Sequence, residues 1–201
     1  MMESDEYVSI SNPSEGTFRD KGSRFLGFAF PVNDERMAKG NLENLRKEHH
    51  SARHHCFGQR ILSGENITDK SSDDGEPAGT AGFPILNEIR SAGLLNIQVV
   101  VVRYFGGILL GKSGLNHAYR TATRESIAQA QKIHKTIDEN FRIRFSYEDL
   151  DSAIRMLKKE KATISSVDKS EICELIFSIR KGRAKALREQ LNRISSMSFQ
   201  S

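Results

Sequence analysis

The chain has 201 residues, 37% of them hydrophobic, which suffices for one large domain or two small ones. Its 30 Lys and Arg against 26 Asp and Glu give a net charge of +4, so the composition is that of a mildly basic globular protein. No apolar run approaches the roughly 20 residues that cross a bilayer, and the N-terminal MMESDEYVSIS is acidic and polar, which excludes a membrane protein and predicts a cytoplasmic location.

The first two thirds of the chain predict an α/β domain. Its elements are strands at GTFRD and SRFLGFAFPV, a helix at DERMAKGNLENLRKEHH, a strand at RHHCFGQRIL, a helix at GTAGFPILNEIRSAG, a strand at NIQVVVVRYF and a helix at SGLNHAYRTATRESIAQAQKIH. Ser113 is placed to cap the last of these helices. The short segment HKTIDEN, residues 134–140, is predicted to link this domain to a second one, with the boundary between 136 and 137.

The remaining segment, residues 137–201, predicts a second domain with the strand and helix order β-α-β-β-α-β. Its strands are predicted at NFRIRFSY, TISSVD, EICELIFSIR and SMSFQ, and its helices at DLDSAIRMLKKEKA and GRAKALREQLNRI. This order is typical of the ferredoxin-like fold, so the whole chain is assigned to the α+β class. Residues 135–201 carry 14 Lys and Arg against 10 Asp and Glu, and this difference accounts for the whole net charge of +4.

A phosphate-loop signature runs from Gly106 through Gly111, Lys112 and Ser113, after an apolar strand and before a helix. A working loop of this kind also needs a later apolar strand that ends in a magnesium-binding Asp, and the later strands NFRIRFSY and EICELIFSIR do not end in one. The apolar residues inside the loop, ILL, indicate a loop packed onto a core. The signature alone therefore predicts no nucleotide site.

Two further clusters carry chemistry-bearing side chains. In SSDDGEPAGTAGFP, Asp73, Asp74 and Glu76 are close enough to hold magnesium, or they form a solvated turn in which Glu76 caps a helix that begins at Pro77. In HHSARHHC, His54 and Cys56 share one face of a strand, as zinc ligands do, but no fourth ligand is visible. A histidine satisfied inside the domain is the favoured interpretation, and no metal or cofactor is assigned.

Four motifs, in this order and at these intervals, resemble the YigZ/IMPACT family: KGSRF, RHHC, DDGEPAGTAGFP and VVVRYFGGILLGKSGL. The glycine loop of that family usually reads LG-x-GGL, whereas this chain has Ser113 between Lys112 and Gly114. The resemblance therefore implies that one substitution created the phosphate-loop signature. It covers nearly the whole first domain, and the second domain resembles the bacterial members by pattern.

The resemblance implies a first domain with the left-handed βαβ fold of domain IV of elongation factor G. It also implies a translation-linked protein, because eukaryotic relatives regulate translation by binding a ribosome-associated activator of a translation-control kinase. RNA, the ribosome or a protein of translation control is the expected partner, without DNA sequence specificity. A non-catalytic regulator is favoured over the alternative, a magnesium-dependent nucleotide or phosphoester enzyme that uses the GGILLGKSG loop.

We name the segment DDGEP, residues 73–77, the acidic turn, and the segment GGILLGKSG, residues 106–114, the glycine loop. We expect the two to lie on one face of the first domain, since glycines allow the backbones of two segments to approach closely. The residues predicted to line a pocket or interface there are Lys21, Arg24, His54, Cys56, Asp73, Asp74, Gly75, Glu76, Pro77, Gly79, Thr80, Arg103, Tyr104, Gly106, Gly107, Gly111, Lys112, Ser113 and Gly114. In the second domain the candidates for RNA contact are Arg180, Lys181, Arg183, Lys185 and Arg188, whose alternative is a solvated helix face.

Overall fold

The computed structural model describes residues 5–64 and 66–200, which form two compact units. Among the described residues, the first unit contains 7–135, and the second contains 136–200 together with Asp5 and Glu6. The sequence did not indicate that Asp5 and Glu6 belong with the second unit. The polar residues 1–4 and the outer domain bounds at 1 and 201 lie outside the described residues.

The first unit is built on a five-stranded sheet with the strand order β2-β3-β6-β4-β5 and helices on both faces. Its elements are β1 (Glu6–Ile10), β2 (Ser14–Asp20), β3 (Ser23–Pro31), α1 (Glu35–Glu48), β4 (His54–Ser63), β5 (Asn66–Ser72), α2 (Gly82–Ser91), β6 (Ile97–Tyr104), α3 (Gly111–Ala128) and β7 (Lys132–Thr136). β1 pairs with β7 in a separate two-stranded sheet.

The apolar run of β6 is buried on both sides because helices cover both faces of the sheet. Val99 and Val101 pack into the core that α2 and α3 share with Phe25, whereas Val100 and Val102 pack into the core beneath α1. Since successive side chains of a strand alternate in direction, a strand between two helical layers has no polar face. This central strand fixes the positions of Arg103 and Tyr104 at its end.

Several predicted boundaries in this unit were wrong. The helix expected from Pro77 begins at Gly82, so Glu76 does not cap it. α3 begins at Gly111, and its N-cap Leu110 makes no side-chain hydrogen bond, so Ser113 is not a cap. The predicted linker at residues 134–140 consists largely of β7 and the next strand, which begins at Asp138.

The second unit has the predicted order of elements: β8 (Asp138–Ser146), a 3-10 turn (Tyr147–Asp149), α4 (Leu150–Lys159), β9 (Thr163–Asp168), β10 (Ile172–Arg180), α5 (Lys181–Leu191) and β11 (Ser198–Gln200). These strands form an antiparallel sheet in the order β11-β8-β10-β9. Alternate residues of β10, including Leu175 and Phe177, are buried against the helices. None of the described helices has the length and apolar character needed to cross a membrane.

The start of the described chain is bound to the second unit by a charged cluster. The Asp5 carboxylate accepts hydrogen bonds from Arg180 Nε and Nη2, at 2.6 and 2.7 Å, and from Gly182 N at 3.0 Å. Arg180 Nη2 also lies 2.8 Å from Glu6 Oε1. The hydrogen bond from Arg180 lowers the pKa of Asp5 from 3.8 to about 2.

Asp5→Asn is expected to change how the stability of the second unit depends on pH. Because the folded-state pKa of Asp5 is depressed, its ionised carboxylate contributes fully to the stability of the folded unit above pH 3.8. This contribution disappears as the pH falls towards about 2. The wild type should therefore melt above the variant at neutral pH, and the two melting temperatures should converge across that acid window. Glu189→Gln, at an exposed carboxylate of α5, is the matched control. A difference in melting temperature that persists unchanged at pH 2 would contradict this assignment.

Candidate functional site

The acidic turn and the glycine loop lie beside the N-terminus of α3, on one face of the first unit, as predicted. Together they line an apolar cleft of about 390 Å³. Its walls are apolar side chains from both segments and from the first turns of α3: Pro77, Phe105, Leu109, Leu110 and Leu115. Its polar groups are Arg53, His54, Glu76, Arg103 and Lys112.

The three carboxylates of the acidic turn point to three different sets of partners. Asp73 accepts hydrogen bonds from the backbone N–H groups of Gly79, Ala81 and Gly82, at 2.8–3.0 Å, and so supplies the carboxylate at the N-terminus of α2. Burial opposes its ionisation, but these bonds outweigh that effect and lower the pKa of Asp73. Asp73 therefore has the capping role that the sequence analysis gave to Glu76.

Asp74 and Glu76 are each paired elsewhere. Asp74 contacts Arg46 Nη2 at 2.8 Å and accepts a hydrogen bond from the backbone N–H of His55. Glu76 Oε1 lies 2.6 Å from Arg103 Nη1. Within residues 5–64 and 66–200, no three His, Cys, Asp or Glu side chains are grouped as metal ligands. The three carboxylates of the acidic turn therefore do not converge on one point, as a shared magnesium ion would require.

Glu76 is the centre of a buried polar network beneath the cleft. Its side chain is 3% exposed and that of Arg103 is 6% exposed. Tyr119 donates a hydrogen bond of 2.7 Å to the same oxygen, Glu76 Oε1. Arg103 Nε is buried without a hydrogen-bond partner among the described residues, while its guanidinium lies over the rings of Phe25 and Phe105.

His54 and Cys56 both make contacts with the acidic turn. The Cys56 thiol lies 3.0 Å from the Asp73 carbonyl oxygen and 3.4 Å from the Tyr119 hydroxyl. Burial raises the pKa of this thiol far above its usual value, so it is a poor nucleophile. His54 Nδ1 donates to the Asp74 carbonyl oxygen at 2.9 Å. Both side chains therefore hold the acidic turn against β4.

The glycine loop approaches the turn between β2 and β3 at Gly106. A Cβ atom added to Gly106 would lie 1.9 Å from the carbonyl carbon of Gly22, and the Gly106 N–H donates to Ser23 Oγ at 3.1 Å. No residue but glycine fits this contact without movement of the backbone. Nearby, the Arg24 guanidinium lies over the Tyr104 ring at 4.7 Å from its centre.

The sequence analysis predicted that the apolar residues of the glycine loop, ILL, pack onto a core, and this prediction was wrong. Ile108 is 55% exposed and Leu109 is 82% exposed, and Leu110 alone of the three is partly buried. Lys112 is exposed. The loop therefore presents large apolar side chains to solvent beside a cationic residue.

A second, more polar cleft of about 500 Å³ lies on the other side of Lys112. Its lining includes Gly79, Thr80 and Ser113 from the two predicted motifs. Arg120 and Arg124 also line it, but both pair with the buried carboxylate of Glu88 at 2.6 Å. Two of the cations in this cleft thus stabilise the packing of α3 on α2.

The basic residues predicted to contact RNA are partly engaged within the second unit. Arg180 pairs with Asp5 and Glu6, Arg183 donates to the Glu160 carbonyl oxygen, and Arg188 lies over the Phe199 ring. Lys185 is exposed on α5. RNA contact by this helix stays a prediction.

Sequence reasoning missed Arg53, Phe105, Leu109 and Tyr119 as parts of the site. Tyr119 is fully buried in the core, and its hydroxyl also completes the Glu76 network. A three-residue apolar run between glycines was the available signal for Leu109. Such a run has two interpretations, a buried loop or an exposed binding loop.

Comparisons with known proteins place these motifs in a family. Residues 21–127, more than half of the chain, match the family described as the Impact N-terminal domain. The IMPACT family member YigZ of Escherichia coli is 38% identical over 131 residues, which are 65% of this chain and 64% of that protein. The chain thus spans less than two thirds of YigZ.

Two solved structures extend the comparison. A crystal structure of a hypothetical protein is 29% identical, covers 98% of both chains and has a TM-score of 0.77. A structure of Yih1, described as a two-domain translational regulator, is 30% identical over 61% of this chain and 47% of that one, with a TM-score of 0.39. The motif resemblance is confirmed by the match over residues 21–127: the chain belongs to the YigZ/IMPACT family.

Proposed function

We propose that this chain regulates translation by binding a protein partner in the cytoplasm, without catalysing a reaction. The family resemblance implies translational regulation by eukaryotic relatives, and Yih1 is described as a translational regulator. The apolar cleft between the acidic turn and the glycine loop is the proposed binding site. The ribosome or RNA is the proposed secondary contact, through α5.

The buried network of Glu76, Arg103 and Tyr119 is the observation that carries the non-catalytic part of this proposal. An acid, base or nucleophile must reach a substrate in a usable protonation state. Burial raises the pKa of both Tyr119 and Cys56, so neither side chain ionises readily. Glu76 accepts from two protein donors within the same network. The groups best suited to chemistry are thus used to hold the cleft.

The magnesium-dependent enzyme has less support. That alternative requires Asp73, Asp74 and Glu76 to share a cation near Lys112, and their hydrogen bonds direct them to separate partners. The glycine loop also lies next to exposed apolar residues. The phosphate groups of a nucleotide are polyanionic and have no apolar surface to bury against these residues.

A translation system assembled from purified bacterial components tests the proposal. We expect added wild-type protein to change the rate of reporter synthesis in proportion to its concentration. Titration of the same sample with ATP or GTP and magnesium should give no saturable binding below millimolar concentrations. A reporter rate that does not respond to the protein would contradict the regulatory proposal, and saturable nucleotide binding lost in Lys112→Ala would favour the enzyme.

A further inference from the structure

We propose that the apolar cleft binds an acidic peptide segment of its partner, with one or two bulky apolar side chains inserted between the glycine loop and α3. This inference rests on the proposed function, and it names the chemistry that the partner must present. It is argued from the exposure of the glycine loop, the charges at the rim of the cleft and the character of its walls.

Exposed apolar side chains supply the anchor site. Phe105, Ile108 and Leu109 are 51%, 55% and 82% exposed, and they follow one another within a single loop. Phe105 and Leu109 line the cleft, together with the more buried Leu110 and Leu115. Water-exposed apolar groups in such a cluster mark an interaction site, because burying them on a partner is favourable. The cleft volume of about 390 Å³ accommodates a small number of side chains.

The rim of the cleft is cationic. Arg53 and Lys112 are exposed, and neither has an ion-pair partner among residues 5–64 and 66–200. The N-terminus of α3 adds backbone N–H groups at Gly111, where the helix dipole favours negative charge. Glu76 is the one carboxylate among the described residues that line the cleft, and it is paired with Arg103. A partner with acidic residues beside its apolar anchor therefore complements this surface.

The walls favour a peptide over a nucleic acid. Proteins that bind single-stranded RNA stack its bases on several aromatic side chains. Here Phe105 and His54 are the aromatic residues of the described lining, the His54 ring is hydrogen-bonded to the Asp74 carbonyl oxygen, and the apolar walls other than Phe105 are aliphatic or proline. An amphipathic segment laid in a groove buries such aliphatic side chains well. A second copy of this chain fits less well, because its acidic turn is held by internal hydrogen bonds.

Fluorescence anisotropy with defined probes tests the proposal. The main probe is a labelled peptide with a central Leu-Phe anchor flanked by glutamates. One control peptide replaces the glutamates with glutamine, and another replaces the anchor with serine. We expect the wild-type protein to bind the main probe about tenfold more tightly than either control. Added salt should weaken the binding of the main probe until its affinity approaches that of the glutamine peptide.

Matched variants locate the binding surface. Leu109→Ser and Lys112→Glu should each lower the affinity of the protein for the main probe about tenfold. Phe83→Ser and Lys47→Glu, at an exposed apolar residue and an exposed lysine outside the cleft, should bind as the wild type does. Equal binding of all three peptides, or binding unaffected by Leu109→Ser and Lys112→Glu, would overturn the proposal.

Two other occupants are separate outcomes of the same experiment. Displacement of the main probe by oligouridine RNA at lower concentration than by unlabelled peptide would show a nucleic-acid surface and overturn the proposal. If sedimentation shows self-association that Leu109→Ser abolishes, the occupant of the cleft is a second copy of this chain, and the proposal is overturned. No translation component is present in these assays. Intact peptide binding without any effect on translation would therefore refute the proposed function alone, and the reverse result would refute this inference alone.

Discussion

Glu76→Ala is expected to lower the free energy of unfolding of the first unit by about 3–5 kcal/mol. The substitution leaves the Arg103 guanidinium buried, at 6% exposure, with no carboxylate to neutralise it. It also removes the acceptor of the Tyr119 hydroxyl. A buried charge without a partner costs more than the pair contributes, because its desolvation is no longer offset. Native-state hydrogen exchange of the β6 amides measures this loss.

Two variants separate the charge from the cavity that alanine leaves. Glu76→Gln keeps an acceptor for Tyr119 and should cost less than Glu76→Ala. Combining Glu76→Leu with Arg103→Met removes both charges and should recover much of the stability lost in Glu76→Leu alone. A loss below about 1 kcal/mol for Glu76→Ala would show that the pair behaves like an exposed salt bridge.

Gly106→Ala is expected to destabilise the first unit by about 1–3 kcal/mol and to displace the glycine loop. The added methyl group would lie 1.9 Å from the Gly22 carbonyl carbon and 2.2 Å from Ser23 N, which are backbone atoms of the turn between β2 and β3. One of the two segments must move, and the hydrogen bond from Gly106 N to Ser23 Oγ is lost with it. Urea denaturation followed by circular dichroism reports the stability.

Gly40→Ala is the matched control for Gly106→Ala. Gly40 lies within α1, and a Cβ atom there meets nothing within 4 Å. Alanine is favoured over glycine inside a helix by about 0.5–1 kcal/mol, so this variant should be slightly more stable than the wild type. A Gly106→Ala protein as stable as the wild type would show that the loop and the turn separate without cost.

The elements with strong periodicity were predicted correctly from the sequence. β6 and β10 were recognised because a continuous apolar run and a strict alternation are each typical of a strand. β5 was missed because it is an edge strand with mostly polar residues, and its pairing partner β4 supplies the contacts that define it. Edge strands are specified by what lies beside them, which the local sequence does not contain.

The sequence predicted that the acidic turn and the glycine loop are neighbours, which their shared cleft shows, but it did not predict their contacts. Glycine-rich motifs identified the two segments that meet at α3, since glycine permits close approach. The partners of the three carboxylates were not predictable, because Arg46 and Arg103 lie far from the acidic turn in sequence. Whether the ILL run faced the core or solvent likewise depended on the length and path of the loop. Tertiary structure decided both questions.

The most direct measurement of the central claim compares the wild type with the double variant Leu109→Ser and Lys112→Glu in the purified translation system. Both substitutions are at exposed side chains, so the double variant should retain the melting temperature of the wild type. If translation is regulated through the apolar cleft, the double variant should need at least about tenfold more protein for the same effect on reporter synthesis. An identical dose response for the two proteins would contradict the claim.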